Sequence, residues 1–155
     1  METLSGPGHC EVIKGRILMD ARQRLLERIG DINTFDRPRP VVTLEEFFDG
    51  NEDPGSIGCN LPEAVGPQEF FTFLVQLRMR QDISTVLVEV TQHDDPDDWP
   101  FSDTIWIVTS LSQGALARLF PERLRPDEWR TYPPDYEIEP IRCPAGTEAF
   151  AAWYD

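Results

Sequence analysis

The sequence predicts an α+β fold, with a small antiparallel sheet built on a central hairpin and packed against two or more helices. Three observations carry this expectation. Thr85 to Thr91 alternates Val86, Val88 and Val90 against Leu87 and Glu89, which reads as a strand. Thr104 to Thr109 is rich in Ile, Trp and Val on both faces and reads as a second one. The segment between them is Asp- and Pro-rich and too short for a crossover helix, so the two strands should pair antiparallel. At 155 residues and 40% hydrophobic composition, the chain has the size and apolar content of one domain, expected over 12–155 behind a flexible lead-in at 1–11.

The remaining elements follow in chain order. Ile17, Ala21, Leu25 and Ile29 recur at four-residue spacing with Arg16, Arg22, Arg24 and Arg28 on the other surface, a helix that Gly30 should stop. Arg37-Pro38-Arg39-Pro40 is extended, because proline disfavours the helical region for its predecessor, and reads as a linker. Thr43-Leu44-Glu45-Glu46 has the form of a capping box and predicts a short helix from Leu44 to Asp49. An irregular stretch, Asn51 to Gly66, follows. Pro67 is a good first helical residue, and Phe70, Leu74 and Leu77 predict an apolar helix to Arg80 at the centre of the core. After the hairpin, Ser112 should cap a helix through Leu116 to Phe120. Beyond Pro126 the chain is Pro-rich and aromatic, with an edge strand expected at Tyr136 to Glu139 and a short terminal helix at Ala149 to Trp153.

Charge narrows the function classes. The net charge is −14, and residues 41–117 carry fourteen acidic groups against only Arg78 and Arg80. Such a field repels polyanions and anionic lipid surfaces, so no nucleic acid and no membrane is expected as a partner, whereas a basic protein is attracted. No run approaches the about 20 apolar residues of a membrane span. Nor does the start resemble an export signal, so a cytoplasmic chain is expected. Cys10, Cys59 and Cys143 are odd in number and far apart, which favours thiols over a disulfide framework. Neither a cofactor nor a metal is expected, since His9 and His93 lack metal-type spacing with those cysteines. The oligomeric state is not readable from the sequence.

Two places offer chemistry. The hairpin loop His93-Asp94-Asp95-Pro96-Asp97-Asp98-Trp99-Pro100 gathers Asp94, Asp95, Asp97 and Asp98 beside Trp99, a binding surface for a basic partner. It lacks the alternating ligands, central Gly and distal Glu of a calcium loop. The Gly55-Ser56-Ile57-Gly58-Cys59-Asn60 stretch supplies Ser56 and Cys59 as candidate nucleophiles, with His93 as the available base. The competing reading of Cys59 is a small buried hydrophobe. Two function classes therefore stand: a non-catalytic, acidic protein-interaction module, or a small enzyme or ligand-binding protein using the Ser56–Asn60 loop.

No P-loop, G-x-G-x-x-G, G-x-S-x-G or H-E-x-x-H signature is present. The segments Leu44–Asn51 (LEEFFDGN), Gly55–Leu61 (GSIGCNL) and Trp99–Asp103 (WPFSD) resemble a group of small uncharacterised bacterial proteins. That resemblance implies no activity and transfers no catalytic residue.

Overall fold

The computed structural model describes residues 21–34 and 36–155. The lead-in expected at 1–11 and the helical positions expected before residue 21, Ile17 among them, lie outside the described residues. Residues 21–29 (α1) are helical, with Ala21, Leu25 and Ile29 on the buried side, as the four-residue spacing predicts. Strand β1 (Val41–Thr43) runs directly into α2 (Leu44–Phe48). The capping box is formed: the Glu46 N–H donates to Thr43 Oγ1 at 3.0 Å, and the Thr43 N–H donates to Glu46 Oε1 at 2.8 Å. Helix α3 (Pro67–Arg78) begins at its proline and buries Phe70, Leu74 and Leu77, ending two residues earlier than the sequence suggests.

The predicted hairpin is the middle of the sheet. β2 (Ile83–Glu89) and β3 (Thr104–Thr109) pair antiparallel, with Leu87 opposite Trp106 and Glu89 opposite Thr104. Ser112 accepts from the Ala115 N–H and caps α4 (Gln113–Ala117), a shorter helix than the expected run to Phe120. A 3₁₀ turn at Glu122–Leu124 leads to β4 (Glu128–Thr131), and the chain closes with β5 (Glu148–Trp153). The five strands lie in the order β1-β2-β3-β5-β4, every neighbouring pair antiparallel.

Both faces of this sheet are covered. On one, Val42, Val88, Ile105, Ile107, Phe150 and Ala152 meet the four helices through Leu25, Phe47, Leu74 and Leu116. On the other, Val41, Trp106, Val108, Ala149 and Ala151 pack against Tyr132, Ile138 and Ile141 of an irregular segment, 132–141. Burial on both faces explains why β3 is apolar at every position except its terminal threonines.

Three expectations are corrected. Ala149–Trp153 is a strand, not a helix: its alanines are small enough to lie between β3 and β4, and tertiary packing overrides their helical propensity. Tyr136–Glu139 forms no strand, only a single parallel bridge between Ile138 and Arg39. The segment 37–40 is no linker either. Its prolines do extend the backbone, but Arg39 uses that extension to donate its N–H to Glu137 O (3.0 Å) and to accept from the Glu139 N–H (2.9 Å).

The two sheet edges differ. In β1, the residues facing away from β2 have their polar groups occupied by side chains. The Val41 N–H donates to Glu139 Oε1 (2.9 Å), the Val41 carbonyl accepts from Arg28 Nη2 (3.1 Å), and the Thr43 N–H belongs to the capping box. Among the described residues, β4 makes backbone hydrogen bonds to β5 alone.

Candidate functional site

Two loops converge where the sequence places its acidic cluster. The first, 51–66, is a built turn. Asn51 is fully buried and donates through Nδ2 to Phe47 O (3.3 Å) and Ser56 Oγ (3.0 Å), while its Oδ1 accepts from the Asp53 N–H (3.0 Å). The Ser56 hydroxyl donates to Asp53 O at 2.8 Å. Gln68 of α3 ties the loop down through Phe48 O and Asn51 O. Gly58 sits at φ +64°, and an added Cβ would lie 2.7 Å from Phe70 Cε2, so a side chain is excluded there both by conformation and by space.

The second loop joins β2 to β3. It is pinned at its neck by Gln92 and Phe101, which exchange backbone hydrogen bonds, the shorter at 2.7 Å. It is tied to its surroundings at four points. The Ser102 N–H donates to Ser56 O (2.8 Å), the Trp99 N–H reaches Asp53 Oδ2 (3.4 Å), and Asn33 Nδ2 donates to His93 O (2.9 Å). Arg22 of α1 also donates to the Asp97 carbonyl.

Between these loops lies a cavity of about 360 Å³ lined by Asp53, Asp94, Asp95, Asp98, His93 and Trp99, with Gly55, Gln92 and Phe101 completing it. Trp99 is 9% exposed and packs into the main core, and its indole Nε1 is buried without an acceptor among the described residues. Besides the Trp99 N–H on Asp53 Oδ2, the carboxylates here take local N–H donors. Asp53 Oδ1 accepts from Gly55 (2.9 Å), Asp95 Oδ1 from Asp97 (2.9 Å), and Asp94 from the Gln92 side chain.

Elsewhere acids are held by arginines. Glu45 accepts from both Arg78 Nη atoms, which holds its carboxyl below the ordinary range. Glu139 is likewise held low: burial opposes the charge, but hydrogen bonds from Arg28 and the Val41 N–H outweigh it. Among the described residues, no such ion pair reaches Asp53, Asp94, Asp95, Asp97 or Asp98.

The structure thus brings His93, Asp94, Asp95, Asp98 and Trp99 together and adds Asp53, one of the fourteen acids of residues 41–117. Asp97 does not line the cavity. Ser56 is 1% exposed, its hydroxyl engaged on both sides within its own turn. Cys59 is exposed rather than a buried hydrophobe, because Ile57 takes the inward position of that loop; like Ser56, it is outside the cavity lining. Among the described residues, no three His, Cys, Asp or Glu side chains converge as a metal-holding group, and no helix is long and apolar enough to cross a membrane.

A second polar centre was not foreseen. Glu89 of β2 is completely buried, accepting from Trp106 Nε1 at 2.8 Å through one oxygen and from Arg39 Nη1 (2.9 Å) and Tyr136 Oη (2.8 Å) through the other. The Arg39 guanidinium also stacks on the Tyr136 ring, 4.4 Å from its centroid. Burial and the neighbouring Glu89 push the Tyr136 phenol well above its ordinary pKa. This centre clasps the 132–141 segment to the sheet. Alternation hides it, since Glu89 falls on the face opposite Val86, Val88 and Val90, where a charged residue reads as solvent-facing.

Comparison with known proteins gives one family. The model of the family described as "Uncharacterized protein YfbO family" matches residues 20–152. A protein of Escherichia coli (strain K12), described as "Uncharacterized protein YfbO", is 39% identical over 127 residues, covering 81% of this chain and 90% of that protein. No solved structure matches the chain.

Proposed function

The chain belongs to the YfbO family, and for it we propose a non-catalytic role as an acidic protein-interaction module whose cavity receives a Lys or Arg side chain of a basic partner protein. The observation that carries this reading is the gathering of Asp53 with Asp94, Asp95 and Asp98 around one cavity, with no ion pair from an arginine to any of them among the described residues. Each carboxylate at about 4 Å attracts a cation by about 1 kcal/mol in bulk water, and by more as water is excluded. Trp99 and Phe101 give the wall an apolar side along which the methylene stem of a long basic side chain can lie. The wider anionic surface steers such a partner at long range. A cytoplasmic setting, in which Cys59 and Cys143 stay as thiols, fits this role. The enzyme reading is less well supported, because Ser56 is spent on its own turn and neither Ser56 nor Cys59 faces the cavity with His93.

A labelled oligolysine peptide, followed by fluorescence anisotropy, tests the proposal. Wild type should bind with an affinity that falls steeply with salt. Replacing Asp53, Asp94, Asp95 and Asp98 by Asn should weaken binding about tenfold or more, the equivalent of about 1.4 kcal/mol. A control that neutralises Glu122, Asp135, Glu137 and Glu148 removes the same charge elsewhere and should bind nearly as wild type. Equal losses in both variants would mean that net charge, not this cavity, is what the peptide meets.

A further inference from the structure

We propose that the open edge of the sheet, strand β4, is a self-association surface, where two copies of the chain join their sheets by antiparallel pairing of β4 with β4. The inference is independent of the acidic cavity and begins from the contrast between the edges. An unpaired strand edge presents N–H and C=O groups that template pairing with another chain unless they are covered. At β1 they are covered, by Glu139, Arg28 and Glu46.

At β4 the register shows which groups are free. The Tyr132 N–H donates to Ala149 O, so the alternation of an antiparallel ladder turns Arg130 and Glu128 toward β5 and turns the N–H and C=O of Trp129 and Thr131 outward. Among the described residues these outward groups have no backbone partner.

The occupant follows from the order of side chains along the strand. Glu128, Trp129 and Arg130 place a negative charge and a positive charge on one sheet face, on either side of a tryptophan on the other. If the two-fold axis passes between the two Trp129 residues, each Trp129 exchanges both backbone hydrogen bonds with its equivalent. Glu128 of each copy then stands opposite Arg130 of the other, twice over. Those positions form non-hydrogen-bonded pairs, where side chains approach most closely. A slip of one residue per copy in either direction sets Arg130 against Arg130 or Glu128 against Glu128. The strand is thus self-complementary in a single register, as a closed two-fold interface requires.

Arg130 is held ready for this, its guanidinium 4.4 Å from the Trp153 ring centroid and 3.3 Å from Glu128 of its own chain. Both side chains remain about half exposed, at 41% and 56%. The acidic loop lies between β2 and β3, and β4 is two strand spacings beyond β3, on the order of 10 Å. That exceeds the roughly 8 Å Debye length at physiological salt, so the charge of that loop is largely screened there.

Sedimentation velocity over a concentration series, joined to amide hydrogen exchange, tests the pairing at physiological salt. Wild type should show a concentration-dependent dimer with the Trp129 and Thr131 amides protected in it. Glu128→Arg and Arg130→Glu should each weaken the dimer about tenfold or more, since two attractive cross-strand pairs become two repulsive ones. The double variant Glu128→Arg/Arg130→Glu restores opposite charges across the axis and should recover the dimer. Thermal unfolding of each variant confirms that the monomer is intact. A wild type that stays monomeric up to its solubility limit overturns the proposal. So does a dimer in which the Trp129 and Thr131 amides exchange freely, or one that the double variant fails to restore.

Discussion

Replacing Glu89 by Leu is the perturbation that most directly tests how the second face of the sheet is held. The side chains are of similar size, so the change removes the acceptor while largely keeping the packing. Trp106 is 1% exposed, and its indole N–H cannot turn to water when the carboxylate is gone; leaving it unpaired costs about 1–3 kcal/mol. Arg39, whose side chain is 40% exposed, and Tyr136 can rehydrate, so each lost bond contributes less, about 0.5–1.5 kcal/mol. Against these stands the desolvation penalty of a wholly buried carboxylate, which the leucine relieves. The net expectation is a destabilisation of about 1–4 kcal/mol, read as a lower urea midpoint at unchanged m-value. The mechanism is isolated by adding Trp106→Phe, which deletes the orphaned donor. The double variant should then lose about 1–3 kcal/mol less than the sum of the singles. Additivity to within about 0.5 kcal/mol, or a Glu89→Leu protein more stable than wild type, would refute the clasp.

Three further outcomes follow from the geometry. Leu74→Ala on α3 removes a side chain that is 1% exposed and should cost about 2–5 kcal/mol in denaturant unfolding; an unchanged midpoint would remove α3 from the core. Gly58→Ala forces a Cβ onto the Phe70 ring at a left-handed backbone position, and should lower the melting temperature far more than Gly66→Ala, whose Cβ meets nothing within 4 Å. Glu139 has a folded-state pKa below its unfolded value, so its stabilisation is present above the ordinary carboxylate range and is lost as pH falls through the depressed value. Glu139→Gln should therefore be less stable than wild type at neutral pH, with the difference closing as the solution is acidified. A gap that persists at low pH would mean that the glutamate acts by shape and not by charge.

What the sequence revealed and what it hid divides along the distance between partners. The capping box at Thr43, the first turn at Pro67 and the β2–β3 hairpin are local, each specified by residues close in the chain, and each is where the residues place it. β5 was misread because its pattern, Glu-Ala-Phe-Ala-Ala-Trp, is as good a helix as a strand until β3 and β4 stand on either side of it. β4 and the 37–40 segment were hidden for the same reason. Of the site, the acidic loop was legible as a charge run. Asp53 became part of it only when the Asn51-centred turn folded back under Trp99, and no spacing rule connects positions that far apart.

The charge of −14 likewise resolves into separate roles once its members are placed. Glu46 and Glu139 close the β1 edge, Glu45 joins α2 to α3 through Arg78, and Glu89 ties the covering segment to the sheet. Those acids are structural, and neutralising them should cost stability. Asp53, Asp94, Asp95 and Asp98 stand apart, since they touch only loop N–H groups and one another's field. Their mutual repulsion is a cost that the fold carries with no ion pair to them among the described residues. A basic side chain entering the cavity would relieve it, so the substitutions that weaken peptide binding should leave the free protein as stable as before or slightly more so. Paired acids and unpaired acids thus make opposite predictions for stability on neutralisation, and one set of unfolding curves separates them.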